Sequence, residues 1–143
     1  MQLIHTAFFL AIISFALVSF LSVKDRLHFN PLIAENEAFY PLFPILAVVF
    51  TILGFFMFNR QIAGMDTSLS ADEKIARYQT AFLIRCAFIE AGALLNTVAF
   101  FLVGNTVFLI VVAFSLLAFI IVRPRRQHII DVLNLQFPDT EKL

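Results

Sequence analysis

Four long apolar runs dominate the sequence, and each is close to the length that a helix needs to cross a bilayer. The hydrocarbon core is about 30 Å thick, so a spanning helix needs about 20 mostly apolar residues and must satisfy its backbone polar groups internally. The runs cover residues 3–23, 42–58, 80–103 and 106–122. The sequence therefore predicts an all-α polytopic membrane protein with four transmembrane helices.

The connections predict two antiparallel hairpins. Only Gly104 and Asn105 separate the last two runs, which requires a tight turn. The first run has no basic stretch before it and no small-residue cleavage pattern before Lys24, so we expect a retained helix and not a cleaved signal peptide.

Composition excludes several other classes of protein. Hydrophobic residues make up 61% of the chain and charged residues 14%, which is incompatible with a water-soluble domain. Ten Lys and Arg balance ten Asp and Glu, so no basic excess is present to bind nucleic acid. The single cysteine, Cys86, excludes an intramolecular disulfide and any multi-cysteine metal site.

Basic residues predict the orientation. With four spans, both termini share one side with the connection at residues 59–79, and that side carries seven Lys and Arg against two on the other. The positive-inside rule then places both termini in the cytoplasm. Phe39 and Tyr40 fall at the outer interface, where aromatic rings are favoured.

Two elements are expected outside the membrane. Ser70 to Glu73 match a capping box, so the third helix should start near Ala71 and extend about two turns below the bilayer. A transmembrane domain over residues 1–126 is then followed by a cytoplasmic tail over 127–143. Residues 128–135 predict either a short amphipathic surface helix or a frayed end.

Two pairs of similar segments, 64 and 74 residues apart in the sequence, are consistent with a duplicated hairpin. Residues 50–55 resemble residues 114–119, and residues 6–8 resemble residues 80–82. Two hairpins with the same orientation would form a parallel repeat. Short matches between Phe-rich helices also arise by chance.

The third run carries most of the polar residues that are expected inside the membrane. At 100° per residue they form one small, polar face, which should pack into the bundle or against a partner protein. On the partner alternative, Gly92→Leu would release the partner without unfolding the protein. The residues of this predicted face are Arg85, Cys86, Glu90, Gly92, Ala93, Asn96 and Thr97.

Two charged residues of this face differ in depth. Arg85 is about one turn inside the membrane and is expected to extend to the headgroups. Glu90 lies near the midplane, where a carboxylate is retained when it is paired, protonated or hydrated. It is either a proton-exchanging or ion-exchanging group, or a structural carboxyl that is neutral or paired with Arg85 or Asn96.

Catalytic and metal-binding patterns are absent from the sequence. No His, Asp and Glu cluster has metal-ligand spacing, and no phosphate loop or nucleophile motif occurs. His5 is predicted to pack or to lie at the interface, and Ser14 and Ser19 to bond back to their own helix. We expect no enzyme activity and no cofactor.

Residues 77–135 resemble an uncharacterised family of small four-helix bacterial inner-membrane proteins. The similarity lies in residues 84–94, which contain Glu90, in the ending Gly104-Asn105, and in Arg123-Pro124 followed by a short amphipathic tail. The resemblance implies a four-helix fold and carries no activity.

Around Glu90 the chain is also similar to the proteolipid c subunits of rotary ATPases, whose midmembrane carboxylate carries the exchanged ion. The chain departs from the proteolipid pattern because it has only four Gly and because Glu90 lies on the first helix of its hairpin.

These patterns favour a small, non-catalytic accessory or structural subunit of a larger membrane protein complex. Its expected partners are membrane lipids and other integral membrane proteins, or further copies of itself. The alternative is a proton-coupled or ion-coupled carrier that uses Glu90.

Overall fold

A computed structural model describes residues 1–32, 40–66 and 68–142. Within these ranges the chain is all-α, with short 3₁₀ turns and no β-strand. The helices are α1 (Gln2–Val23), α2 (Leu42–Ala63), α3 (Ala71–Val103), α4 (Val107–Ile121) and α5 (Arg126–Leu133).

Three of these helices are long and apolar enough to cross a membrane. They are α1, α2 and α3, whereas α4 has 15 residues, which is about 22 Å of helix. Helices α4 and α5 are bent by 66° at the break between them, and they count as a fourth span if they are taken together. The all-α prediction is therefore confirmed, and the structure contains three or up to four helices that could span a membrane.

The fold is organised around α3. This helix packs against α1, α2 and α4 more extensively than those three pack against one another. Two glycines bring α2 and α3 close together: a Cβ on Gly92 would lie 2.8 Å from Ala47 Cα, and one on Gly54 would lie 3.2 Å from Arg85 O. Small residues of this kind allow helix backbones to approach closely in an apolar medium.

Phenylalanine fills the interior at both ends of the bundle. At the end that carries the termini, Phe82 and Phe119 are buried together with Ile12 and Ile89. At the other end a second cluster contains Val23, Phe43, Ala99, Phe100 and Phe108. The many phenylalanines of the sequence thus provide close packing where glycine-lined contacts are few.

The tight turn between α3 and α4 requires glycine. Gly104 has φ +78°, and its N–H donates to Phe100 O at 2.7 Å. A Cβ at this position would lie 2.7 Å from Arg26 O, so both the backbone angle and the available space select glycine. The Arg26 guanidinium also donates to Phe101 O at 2.6 Å and to Leu102 O at 3.2 Å, which satisfies carbonyls at the end of α3.

The loop after α1 is bound to this turn. His28 N–H donates to Gly104 O, and His28 O accepts from Thr106 N–H. The Asn105 side chain donates to Asn30 O at 2.8 Å and accepts from Asn30 N–H at 3.3 Å. The two hairpins are therefore joined at the end opposite the termini. Tyr40 packs there on Phe43, whereas Phe39 lies outside the described residues.

The first turn of α3 forms as the sequence predicts. Ser70 is the N-cap, and both hydrogen bonds of the capping box with Glu73 are present. The segment after α4 is the helix α5 and not a frayed end. Ile129 and Leu133 of α5 are buried in the core cluster at the same end of the molecule, so the apolar face of α5 packs on the bundle.

The capping box predicts how the stability of the first turn of α3 depends on pH. Hydrogen bonds from the Ser70 hydroxyl and backbone N–H hold the pKa of Glu73 below its ordinary value. Because the folded pKa is lower than the unfolded one, this stabilisation is complete above about pH 4.3 and is lost as the pH falls through the folded value. The N–H groups of Glu73 and Lys74 donate to the Ser70 hydroxyl and carbonyl, so their amide protection factors should decrease in that range, as measured by hydrogen exchange.

Glu73→Gln is the matched control for this prediction, because it retains the side-chain shape and removes the titration. It should flatten the pH dependence of the protection factors. Equal pH profiles in the variant and the natural protein would contradict the proposed role of Glu73.

Candidate functional site

The predicted polar face of α3 lies largely inside the chain's own bundle. Cys86, Ala93, Asn96 and Thr97 have no exposed surface, and Gly92 is also buried. Of the two alternatives left by the sequence, packing into the bundle is therefore correct for these residues. Gly92 is in contact with Ala47 of α2 and not with an open surface, so we expect Gly92→Leu to disturb the packing of α2 on α3 and not only to release a partner.

Asn96 links α3 to the beginning of α2. Its Nδ2 donates to Phe43 O and to Gly92 O, both at 2.9 Å. Its Oδ1 is buried without a hydrogen-bond partner among the described residues. The nearby Thr97 hydroxyl donates to Ala93 O at 2.9 Å within α3. These groups therefore fix the packing of helices and offer no open binding position.

Arg85 is enclosed by aromatic rings. Its guanidinium carbon lies 3.8 Å from the centre of the Phe58 ring, 5.6 Å from that of Phe55 and 5.5 Å from that of Phe82. Its side chain is 8% exposed, so the expectation that it extends freely to the headgroups is wrong. Among the described residues no carboxylate pairs with it, and the cation–π contacts take the place of an ion pair.

Glu90 is the exception on this face because it is only half-buried. It forms no hydrogen bond or ion pair with any residue that the structure describes. Pairing with Arg85 or Asn96 is therefore not observed: the first is stacked on Phe58 and the amide of the second is bound to backbone carbonyls. Glu90 lies at the edge of the buried face, where a group outside this bundle can reach it.

His5 is a packing residue. Its Nε2 lies 2.7 Å from Phe119 O, and because a carbonyl only accepts, Nε2–H is the donor. The ring contacts Phe9 and Phe119, with centroids 6.4 and 5.7 Å away. His5 thus satisfies a carbonyl near the end of α4, as the packing interpretation predicts.

Ser19 of α1 does not behave as expected, whereas the Ser22 hydroxyl donates to Val18 O at 2.8 Å within the same helix. Ser19 Oγ is buried without a partner among the described residues, so the predicted bond back to its own helix is not formed.

Within the described ranges no group of three or more His, Cys, Asp or Glu side chains could hold a metal ion.

Two of the surface grooves bear on function, and the sequence analysis identified neither. One lies between α2 and α4 and encloses about 300 Å³; we call it the α2–α4 groove. Its lining residues are Ala47, Val48, Thr51, Ile52, Val111, Phe114, Ser115 and Ala118. The spacing of Ala47 and Thr51, four residues apart, was the sequence signal for a close helix approach.

The second groove lies between α2 and the part of α3 that precedes the apolar run. It encloses about 640 Å³ and carries Arg60 on one wall and Arg77 on the other, so we call it the arginine groove. The sequence places these residues in different helices, and only the packing of α2 on α3 brings them to one groove.

No protein family, curated protein or solved structure matches this chain. The resemblance to a family of small inner-membrane proteins therefore stays a prediction.

The contact between Gly92 and Ala47 predicts the effect of a larger residue. Gly92→Leu should force α2 away from α3 and reduce the free energy of unfolding by about 1–3 kcal/mol or more. Ala87→Leu is the matched control, because Ala87 is exposed on the same helix. Thermal unfolding in detergent measures both, and equal stability of the two variants would contradict the close contact.

Proposed function

We propose that this protein is a four-pass bacterial inner-membrane protein and a non-catalytic accessory subunit of a larger membrane protein complex. The observation that carries the proposal is the α2–α4 groove. It faces outward between two helices that contact each other little, and small residues form its floor. We infer that it receives one transmembrane helix of another integral membrane protein.

The chemistry of the groove suits a helix. Thr51 Oγ donates to Ala47 O at 2.8 Å, and Ser115 Oγ donates to Val111 O at 3.2 Å, so both hydroxyl protons are already bound. Ala118 completes a floor on which a second backbone can approach closely. In lipid, helices associate through such close packing and not through a hydrophobic driving force.

Large apolar side chains form the rim of the groove. Val48, Ile52 and Phe114 are 58%, 62% and 66% exposed. The side chains of a helix in the groove would contact both this rim and the small residues of the floor, in the manner of a ridge that packs into a groove. The surface proposed for a partner thus moves from the buried face of α3 to the junction of α2 and α4.

The proposed orientation follows the basic residues. A four-pass bundle would have both termini and the α2–α3 connection at one end, together with Arg60, Arg77, Arg123 and Arg125. The positive-inside rule favours a cytoplasmic location for this end. Residues of the groove then lie within the hydrocarbon layer.

Site-specific photocrosslinking tests the accessory role. A photoreactive residue at Ile52 or Phe114 should give a defined adduct with a peptide from a transmembrane helix of another protein. Leu117, which is exposed on α4 and does not line the groove, is the control position. Ala118→Phe should fill the groove and remove the adduct, whereas Ala113→Phe, on an exposed part of α4 outside the groove, should retain it.

Three outcomes would contradict this proposal. They are adducts with lipid alone, equal adducts from the control position, and adducts with a second copy of this chain alone. The last outcome would replace the accessory role with self-association.

Glu90 supports a second candidate function, a proton-coupled or ion-coupled carrier. The supporting observation is a half-buried carboxylate in the apolar part of α3 that has no partner among the described residues. Intramembrane carboxylates of this kind are a common feature of proton relays.

Reconstituted vesicles test the carrier function. If Glu90 exchanges protons, a pH gradient across vesicles that contain the protein should decay faster than across empty vesicles. Glu90→Gln should abolish the difference, and Glu90→Asp should restore part of it. Equal decay with and without the natural protein would remove this candidate and leave the groove proposal unaffected.

A further inference from the structure

The arginine groove is a recess between the last turns of α2 and the first half of α3. Met57 and Arg60 of α2 line it together with Gly64, which follows α2, and Ala76, Arg77 and Thr80 line it from α3. Most of the lining is apolar or uncharged, and the amide of Gln61 is a further polar group at the wall. No carboxylate lines the groove within the described ranges.

The depth of the groove corresponds to the lipid headgroups. Helix α3 has 33 residues and is about 50 Å long, and its far end is fixed by the turn at Gly104. If one boundary of the hydrocarbon layer lies at Val103, a layer about 30 Å thick extends along α3 back to residue 84. Thr80 and Arg77 then lie about 6 and 10 Å beyond the hydrocarbon, in the polar layer of the bilayer.

The two arginines are the charged groups of the groove. Arg60 is exposed, and its guanidinium forms no hydrogen bond or ion pair with the described residues. Arg77 interacts electrostatically with Asp66 and Glu73, and these two carboxylates partly offset the positive potential around its guanidinium.

Both of those carboxylates are bound within their own turns. Asp66 accepts from Ser68 N–H at 2.9 Å, and Glu73 accepts from the Ser70 hydroxyl at 2.7 Å. Neither lines the groove, so the groove itself retains a positive charge.

We propose that the arginine groove binds the phosphate of an anionic phospholipid from the surrounding bilayer. Arg60 and Arg77 flank the phosphate from opposite walls, because the planar guanidinium donates paired hydrogen bonds to phosphate oxygens. The apolar lining around Met57 and Ala76 contacts the glycerol and the first carbons of the acyl chain. Basic pockets between helices at the cytoplasmic side are suited to such headgroups.

The lining favours a lipid over a free phosphate ion. The groove is mostly apolar, and an ion alone would leave that apolar lining uncovered. The Thr80 hydroxyl already donates to Ala76 O at 3.0 Å, so the two arginines and Gln61 supply the side-chain donors for a phosphate.

Native mass spectrometry of the purified full chain in mild detergent tests this site. Phosphatidylglycerol, phosphatidylcholine and inorganic phosphate are added separately, and bound molecules are counted over a concentration series. We expect phosphatidylglycerol to bind at least tenfold more tightly than phosphatidylcholine. Arg60→Gln and Arg77→Gln should each weaken its binding about fivefold, and the double variant more than tenfold.

Matched variants separate the groove from general surface charge. Arg125→Gln removes the same charge at the same end of the molecule without touching the groove, and it should leave phosphatidylglycerol binding unchanged. Ala76→Phe retains both arginines and fills the recess, so it should weaken binding, whereas Ala87→Phe on the exposed side of α3 should not. Circular dichroism verifies that each variant is folded.

Several results would overturn the lipid site. They are equal phosphatidylglycerol binding by the double arginine variant and the natural protein, and equal losses with Arg125→Gln. A third is displacement of the lipid by inorganic phosphate at comparable concentration, which would assign the groove to a free anion. If Ala76→Phe does not fold, the arginine variants alone decide the question.

Discussion

The close approach of α2 to α3 at Ala47 and Gly92 determines the arrangement of the other helices. With 2.8 Å between Ala47 Cα and a Cβ that glycine lacks, the two backbones are nearly in contact. The same approach lets Asn96 bind Phe43 O and places Arg85 over Phe58. Because α2 lies so close to α3, its contact with α4 is small, and the outward-facing α2–α4 groove results.

Most of the polar face of α3 is buried between helices, so it stabilises the bundle and cannot reach a ligand outside it. The buried groups of α3 bind backbone carbonyls or aromatic rings, and a larger side chain at Gly92 has no room. Among the described residues, Glu90 and the two grooves lie at the borders of helix contacts and remain accessible. We therefore base the proposed functions on those borders and not on the centre of the face.

Local patterns predicted the helices well because they depend on local physics. The capping box placed the start of α3 at Ala71, and the period of 3.6 residues identified the side of α3 that is buried. Contacts between distant residues were not predictable in the same way. Three such arrangements depend on how whole helices pack. Arg85 stacks on Phe58, Arg26 caps the end of α3, and Arg60 and Arg77 line the same groove.

Arg85 and Glu90 show why this packing separates two charges that occur on one helix. Five residues place them about 140° apart around α3 and about 7.5 Å apart along it, so they do not meet. Arg85 points toward Phe58 and is stabilised by the rings that enclose it. Glu90 has no such partner among the described residues. Its carboxylate is therefore open to a proton, or to a cationic or donor group of a neighbouring helix. The carrier function requires the proton, whereas the accessory function depends on the α2–α4 groove, which Glu90 does not line.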